Sequence, residues 1–323
     1  MPGSLSTASA AQAVPVGTHL VEDTLAETLR SEVGFLQEAS RSLVAAGGKR
    51  LRPRLVLLSY LAAGGDPFPR TIIDTAAAIE LLHMASLVHD DILDDADLRR
   101  GKPTIHRQLG VPRALLVGDF VFARSVTRLN DLPDDVREAV IHAGVDLAEG
   151  EALELELTRK GASTLEQYFT VIAKKTASLL ETSGYAGARL AGADEATSVR
   201  MADFGFYAGI AFQLVDDLLD VEGITEITGK PAGLDLAHGV PNAALLVALE
   251  GQLRRGKKLV ALSRSHDTEA TRMLVRESGA PRRVLELAHM YATRAREALA
   301  GMPNTSARRE LEGLLQESVD RNR

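Results

Sequence analysis

The stretch LLHMASLVHDDILDDADLRRGK, residues 81–102, decides the fold of this 323-residue chain. It begins as an apolar run and ends with five aspartates between positions 90 and 97, followed by two arginines. At 3.6 residues per turn, Asp90 and Asp94 lie one turn apart on one helical face, with Asp91 beside them. A buried helix that ends in a carboxylate cluster is therefore the element around which the rest of the chain must pack.

The carboxylates of this stretch predict a cation site. Like charges at four-residue spacing destabilise a helix by about 0.2–0.5 kcal/mol per pair, and the C-terminal end of a helix dipole favours cations. A solvated helix end is the simpler alternative, but it explains the clustering less well. Oxygen ligands without a nearby cysteine are typical of Mg²⁺ bound together with phosphates, and Arg99 and Arg100 suit phosphate oxygens. His83 lies two turns before Asp90 on nearly the same face.

A second stretch, GIAFQLVDDLLDVEG at 209–223, repeats the same spacing with Asp216, Asp217 and Asp220. Two carboxylate sets that face each other across a cavity would hold several Mg²⁺ ions and a polyanion such as diphosphate. Diphosphate leaves only when cations stabilise the charge that develops on it, so these residues predict electrostatic cleavage of a C–O–P bond. The apolar helix faces under the aspartates predict that the remaining group is hydrophobic.

The segment GGKRLRP, 47–53, predicts a second anion pocket. It places Lys49, Arg50 and Arg52 at the start of an apolar helix, where backbone N–H groups and cations together favour phosphate. A basic helix edge without a ligand is the alternative. If Lys49, Arg52 and Arg100 do bind an anion, the protein takes a second phosphorylated substrate.

Three other polar sets are less specific. The pair Lys174 and Lys175 lies in an apolar helix predicted at 164–182, and snorkelling to the surface would explain it. A glutamate-rich helix is predicted at 133–160, where a solvated face is the favoured interpretation for most of the set Glu149, Glu151, Glu154 and Glu156. The Gly- and Pro-rich segment 227–242 places Lys230 and Asp235 near the second aspartate motif.

Composition and patterning predict an all-α fold, a single large helical bundle with a central cavity between the two aspartate-rich helices. Aromatic residues make up only 4% of the chain, and no strand-length alternation is visible. We expect a disordered tail at 1–17 and one domain at 18–323, beginning with an amphipathic helix at 19–46.

Charge and cysteine content bear on partners and location. The net charge of −7, without a basic stripe, predicts no nucleic-acid partner. The chain has no cysteine, no recognisable signal peptide and no uncharged apolar run of membrane-spanning length. These features predict a cytoplasmic protein without a transmembrane segment, which leaves contact with a bilayer surface open.

The motifs and their order resemble the trans-polyprenyl diphosphate synthase family along nearly the whole chain after the tail. They are GGKRLRP, DDILD followed by RRGKPT, Gly118–Asp119, Lys175–Thr176, FQLVDD and GKPAGLDL. The stretch at 83–105 is especially similar to the catalytic subunit of heptaprenyl diphosphate synthases. The resemblance implies a Mg²⁺-dependent prenyltransferase that joins isopentenyl diphosphate to an allylic diphosphate. It also implies a homodimer, with a small accessory subunit as a further partner.

The resemblance implies a role for individual residues. Mg²⁺ bridging the allylic diphosphate would be held by Asp90, Asp94 and Asp216, supported by Asp91, Asp217 and Asp220. That diphosphate would contact Arg99, Lys175, Gln213 and Lys230, with Thr176 near the developing carbocation. Isopentenyl diphosphate would contact Lys49, Arg52, His83 and Arg100. Ionisation gives an allylic cation, the isopentenyl double bond attacks it, and a proton is lost to the departing diphosphate.

Product length follows from the residues beneath the first motif. Short-chain relatives carry bulky aromatics where this chain has Ala85 and Ser86. An open floor predicts a product of about C30 to C40 with Ile79 as a stop, and a C20 geranylgeranyl product is the alternative. Two departures from the family bear on activity: Val240 replaces a common lysine, and Glu154 replaces a common glutamine.

Two rival functions remain at this stage. A class I terpene cyclase would show an Asn/Ser/Glu triad in place of the second aspartate motif and would lack GGKRLRP. A poorly active partner subunit of another prenyl synthase would be expected to lose an aspartate motif, and this chain keeps both.

Overall fold

A computed structural model describes residues 9–66, 68–161, 163–223, 239–250 and 267–320, together with Gly233, Leu236 and Ala237. The described chain is helical apart from one hairpin, which confirms the predicted all-α class. The first helices are α1 Ala10–Thr28, α2 Gly34–Ala45, α3 Leu51–Ala62, α4 Arg70–Leu93, α5 Ile105–Leu109, α6 Val111–Thr127 and α7 Asp134–Lys160. The later ones are α8 Leu165–Ile172, a π-helical turn Ala173–Ala177, α9 Ser178–Leu190, α10 Glu195–Glu222, α11 Ala243–Glu250, α12 Thr268–Glu277, α13 Ala280–Ala298 and α14 Ser306–Val319.

The core is built around α4 and α10, the two helices that end in the aspartate motifs. Helix α4 packs on α3 and α6, and α10 packs on α9 and α13. Glycines let α9 and α10 approach closely: a Cβ on Gly184 would lie 2.0 Å from the Met201 carbonyl oxygen, and one on Gly205 would lie 2.1 Å from that of Leu180. Backbones at this spacing hold the second motif rigidly against the centre of the bundle.

Helix α4 is the one described helix that is long and apolar enough to cross a membrane. Of its most apolar 18-residue window, 72% is buried inside the fold. No uncharged apolar run of that length is predicted from the sequence. Because α4 is mostly buried inside the bundle, it is a core helix, and core helices can be as long and as apolar as membrane-spanning ones.

The N-terminal segment differs from its prediction. The expected disorder over 1–17 is wrong from Ala10 onward, because α1 begins there and buries Ala10 and Val14 in the core. The Ala10 N–H donates to Ser306 Oγ at 3.1 Å, which ties α1 to the start of α14. Small residues and Pro15 within the helix hid this element.

The helix predicted at 19–46 is also two helices. Between α1 and α2, Ser31 Oγ accepts from the Val33 N–H at 3.1 Å, and the Ser31 N–H donates to Gln37 Oε1 at 3.0 Å. These local bonds compete with helical ones and interrupt the helix. The helix predicted at 164–182 instead passes through the π-helical turn and continues to Leu190.

Two short strands, β1 Leu98–Arg99 and β2 Lys102–Pro103, form an antiparallel hairpin directly after the first aspartate motif. Its turn residues Arg100 and Gly101 have φ values of +52° and +73°. Two positive φ values are typical of the tight turns that match strand twist. The strands are only two residues long, too short for alternation to reveal them in the sequence.

Candidate functional site

The first aspartate motif is tied to the hairpin that follows it. Arg99 Nε donates to Asp91 Oδ1 at 2.7 Å, and the Asp91 side chain is buried. Asp90 is half-buried, and Asp94, just past the end of α4, is exposed. Asp91 and Arg99, predicted as a metal support and a diphosphate contact, therefore pair with each other here, and they leave Asp90 and Asp94 to face a ligand.

Burial raises the pKa of Asp90 to about 8, and the nearby carboxylate of Glu151 adds to the effect. Lys175 and Arg99 act in the opposite direction but do not cancel it. A carboxylate held in this way needs an additional cation before it can ionise easily. The local charge thus fits a site that binds Mg²⁺.

The second motif divides its aspartates between two tasks. Asp216 is exposed and Asp220 is half-buried, whereas Asp217 is only 2% exposed. Gln213 Nε2 donates to Asp217 Oδ1 at 2.9 Å, and the Ala243 N–H donates to Asp217 Oδ2 at 2.7 Å. Asp217, predicted as a metal support, is therefore occupied in holding Gln213 and the first residue of α11.

Burial raises the pKa of Asp217 to about 7, although its hydrogen bonds oppose this. Through Gln213 the same carboxylate reaches the π-helical turn, because Thr176 Oγ1 donates to Gln213 Oε1 at 2.9 Å. Thr176 and Gln213, which the resemblance places near the carbocation and on the diphosphate, are thus in direct contact, held by Asp217.

The π-helical turn aims two consecutive lysines at different partners. Lys174 Nζ lies 2.5 Å from Asp146 Oδ1 and 2.7 Å from Glu149 Oε2, at the surface. Lys175 Nζ points inward, 2.7 Å from Glu151 Oε2 and in contact with Glu154 Oε2. π-Helical turns occur frequently at functional sites. Snorkelling, the simpler interpretation of the lysine pair, is wrong for Lys175.

The glutamates of α7 likewise separate into two sets. Glu149 and Glu156 lie on the solvated face that was predicted. The side chains of Glu151 and Glu154 are only 19% and 18% exposed. Burial lowers the pKa of Lys175, but Coulombic attraction from Glu154, Asp90 and Glu151 outweighs it, so its pKa is raised.

The predicted second anion pocket is assembled where GGKRLRP meets the hairpin. Arg100 Nη1 donates to the Gly47 carbonyl oxygen, and a Cβ on Gly48 would lie 2.5 Å from that nitrogen. Arg52 Nε is buried and has no hydrogen-bond partner among the described residues. A buried, unpartnered guanidinium nitrogen is what an absent anion would satisfy.

His83 lies among these cations. Burial, with the positive charges of Arg52, Arg99, Arg100 and Arg50, holds the pKa of His83 well below its usual value, so its imidazole is neutral at pH 7. Arg50, by contrast, donates to Glu80 Oε1 at 3.0 Å and to the Val44 carbonyl oxygen at 3.1 Å, which makes it structural. Lys49 is exposed.

An apolar cavity of about 360 Å³ lies beneath Asp90, between α4, α6 and α7. Ala85 and Ser86 both line it, as predicted. Ile79 does not, because its side chain is fully buried in the core, so the structure does not support it as the stop. Leu82 and Phe122 line the wall instead, and the sequence analysis missed both. Leu82 could have been predicted, because it lies one helical turn before Ser86. Phe122 could not, because its place on the wall depends on how α6 packs.

The Gly118–Asp119 motif packs against His89, which lines the same cavity. A Cβ on Gly118 would lie 2.1 Å from His89 Nε2, and Asp119 Oδ1 lies 3.6 Å from that nitrogen. The glycine therefore allows α6 to pack against the end of α4. Lys230 and Asp235 lie outside the described residues, and Val240 is half-exposed.

The metal fit depends on a ligand. Within the parts of the chain that the structure describes, no group of three or more His, Asp or Glu side chains is placed to hold a metal ion by itself. The carboxylates of Asp90, Asp94, Asp216 and Asp220 are oxygen donors, and Mg²⁺ commonly takes one or two such donors with substrate phosphates. The donor set therefore fits Mg²⁺ that is bound together with a diphosphate.

The part of the chain that matches a known protein family contains all of these site residues. Residues 33–277 match the family model described as polyprenyl synthetase. The chain is 38% identical over 294 residues to heptaprenyl diphosphate synthase component 2 of Geobacillus stearothermophilus, which spans 89% of this chain and 90% of that protein. A polyprenyl synthase from Caulobacter crescentus CB15, complexed with calcium and isoprenyl diphosphate, is similar with a TM-score of 0.90, 34% identity and 96% coverage of both chains. Geranylgeranyl pyrophosphate synthetase from Pyrococcus horikoshii Ot3 gives 0.88, 33% identity and coverage of 96% and 98%.

Proposed function

Because this chain belongs to the polyprenyl synthetase family, we propose that it condenses isopentenyl diphosphate with an allylic diphosphate in trans, giving a polyprenyl diphosphate of about C30 to C40. The observation that carries this proposal is the apolar cavity directly beneath Asp90. A growing hydrophobic chain needs such a space below the point where diphosphate leaves.

The aspartates and cations divide the reaction between them. Asp90, Asp94, Asp216 and Asp220 would hold Mg²⁺, which supplies electrostatic stabilisation of the leaving diphosphate. Lys175 approaches the same diphosphate from the π-helical turn. The assignment rests on the low exposure of Lys175 and its electrostatic contact with Asp90.

Isopentenyl diphosphate binds in the anion pocket of Arg52, Arg100 and Lys49, with neutral His83 among the arginines. Arg52 Nε would gain a partner from an anion, since it is buried and none of the described residues accepts a hydrogen bond from it. Thr176 Oγ1 and the amide of Gln213 present oxygen atoms that suit a developing carbocation. The proton lost after carbon–carbon bond formation goes to the departing diphosphate.

The cavity wall favours a long product. Ala85 and Ser86 present small side chains one turn below Asp90, so the first obstruction lies further down, at Leu82 and Phe122. The similarity to a heptaprenyl diphosphate synthase component supports the same length. The similarity to a geranylgeranyl pyrophosphate synthetase favours C20 as the second candidate.

An apolar stripe on α6 and α7 supports a homodimer. On α6, Leu115 and Val126 are 45% and 42% exposed, and on α7, Ile141 and Val145 are 46% and 50% exposed. Phe122 and Leu155 extend the same stripe but also line the cavity. Adjacent apolar stripes of this kind mark protein interfaces. A small accessory subunit is a further partner, suggested by the name of the Geobacillus relative.

The location proposed for the protein is the cytoplasm, with transient contact with a membrane when a hydrophobic product leaves. The chain contains no cysteine, and its most apolar helix is built into the core.

The deciding experiment is product analysis with the purified protein, isotopically labelled isopentenyl diphosphate and each allylic primer from C5 to C20. We expect products of about C30 to C40 in Mg²⁺ and none in EDTA. A stop at C20 would select the second candidate. Absence of product from every primer, with or without a candidate accessory subunit, would refute the proposed activity and make Val240 the first residue to revert to lysine.

A further inference from the structure

Two carboxylates enclose the ammonium group of Lys175. Glu151 Oε2 lies 2.7 Å from Lys175 Nζ, and Glu154 Oε2 is in contact with it. All three side chains are at most 24% exposed. The packing is tight, because a Cβ on Gly150 would lie 2.7 Å from the Lys175 backbone nitrogen. The lysine that faces the first aspartate motif is therefore already engaged before any ligand arrives.

The two glutamates differ in where they face. Glu151 lines the apolar cavity beside Asp90, whereas Glu154 is not part of its wall. Glu154 therefore reaches the reaction site through Lys175. Its carboxylate is held there at a cost, since burial raises its pKa even though Lys175 acts in the opposite direction.

The charges of this cluster do not balance. One ammonium faces two carboxylates, and Asp94 adds further negative charge within electrostatic range. An anionic ligand that uses Lys175 must therefore share it with Glu154 or displace that contact. Charge-assisted hydrogen bonds are strong in partly buried sites, so the competition reduces ligand affinity measurably.

We propose that Glu154 is a positioning residue that competes with the substrate diphosphate for Lys175 and so weakens binding of the allylic substrate. The proposal rests on the diphosphate-binding role of Lys175 given above. Weaker binding favours release of diphosphate between successive additions. A chain-elongating enzyme must release one diphosphate in every cycle.

The test compares Glu154→Gln with Glu156→Gln. Both changes remove one negative charge from α7, but Glu156 is 67% exposed and pairs only with Lys160 among the described contacts, at 3.2 Å. Binding of inorganic diphosphate in Mg²⁺ is measured by calorimetry, and KM and kcat are measured with a C15 allylic diphosphate. For Glu154→Gln we expect diphosphate to bind about five- to tenfold more tightly. KM should fall by a similar factor while kcat changes less, and Glu156→Gln should match the unmodified protein.

Diphosphate binding by Glu154→Gln that is unchanged or weaker would overturn the proposal. If that variant does not fold, Glu154→Asp, whose shorter side chain withdraws the carboxylate from Lys175, should also bind diphosphate more tightly, and no gain would have the same meaning. Failure of the proposed function has a different signature. The unmodified protein would then form no prenyl product, while the diphosphate titration would still report on Glu154.

Discussion

Replacement of Asp90 by asparagine should make the metal-free protein more stable while abolishing its activity. The pKa of Asp90 is about 8 against an ordinary value of 3.8, because the folded state buries the carboxyl beside Glu151. At about 1.4 kcal/mol per pH unit this difference of about 4 pH units sets an upper limit of about 6 kcal/mol. Asparagine also loses the attraction of Lys175, so we expect a net gain of about 2–4 kcal/mol in the free energy of unfolding.

The sign of this effect fixes its pH dependence. Below about pH 4 the carboxyl is protonated in both states, and Asp90 imposes no penalty. Between about pH 4 and 8 the unfolded chain releases the proton and the folded protein retains it, so stability is lost progressively as the pH rises. The full penalty applies above about pH 8. The advantage of Asp90→Asn should therefore be small at pH 4.5 and largest near pH 9.

The assay is urea unfolding in EDTA across this pH range, with Asp131→Asn as the control, since Asp131 is exposed in a turn. The control should follow the unmodified protein at every pH. Addition of Mg²⁺ and diphosphate should then stabilise the unmodified protein more than Asp90→Asn. A stability difference that is absent, or equal at pH 4.5 and pH 9, would refute the reasoning.

Four other changes test separate parts of the structure. Ala85→Phe should shorten the product, as read by chromatography of the dephosphorylated prenols, and an unchanged chain-length distribution would show that the cavity does not hold the chain. Asp217→Asn should lower kcat and cost about 1–3 kcal/mol of stability, because it disturbs the buried hydrogen bonds of Asp217. The Mg²⁺ concentration that gives the half-maximal rate should stay the same. A large rise in that concentration would instead identify Asp217 as a metal ligand. Gly184→Ala should destabilise the fold by about 1–3 kcal/mol or more, because its Cβ would meet a carbonyl oxygen at 2.0 Å. The control Gly313→Ala, with nothing within 4 Å of its Cβ, should stabilise α14 by about 0.5–1 kcal/mol. Equal effects of the two changes in thermal unfolding would contradict the close approach of α9 and α10. Val145→Asp should convert the proposed dimer to a monomer in light scattering, and a dimer that persists would exclude the α7 stripe as the interface.

The two central helices were predictable from the sequence because their signals are local. An apolar run that ends in a carboxylate cluster already specifies a buried helix with a reactive end, at 81–102 and again at 209–223. The small residues Ala85 and Ser86 both line the cavity, and helical spacing carries Ser86 to the same face as Asp90.

Contacts between distant segments could not be predicted in the same way. Lys175 and its carboxylate partners lie on different helices, so the sequence left snorkelling as the simpler explanation. The role of Asp217 depends on Ala243, whose backbone N–H group comes from the start of another helix. Pairings of this kind are decided by tertiary packing, which leaves no periodic trace in one chain.

The start of the domain was mispredicted for a different reason. Residues 10–17 are mostly small and include Pro15 and Gly17, which weaken the local helical signal. Their helix forms because it packs on α14, near the other end of the chain, where Ser306 accepts from the Ala10 N–H. Local propensity was overridden by a contact with a segment almost 300 residues away.

Two arginines of this protein have left-handed backbone conformations, which are strained for residues other than glycine. Arg50 and Arg100 have φ values of +46° and +52°, a conformation that glycine would adopt without strain. Their guanidinium groups fasten GGKRLRP to Glu80 on one side and the hairpin to Gly47 on the other. Glycine at position 100, where the side chain is exposed, would ease the backbone and loosen the anion pocket. Glycine at position 50 would leave the buried Glu80 carboxylate without its partner, so the fold itself retains that arginine. A stabilising change is therefore expected at position 100, and it is one that selection for substrate binding would remove.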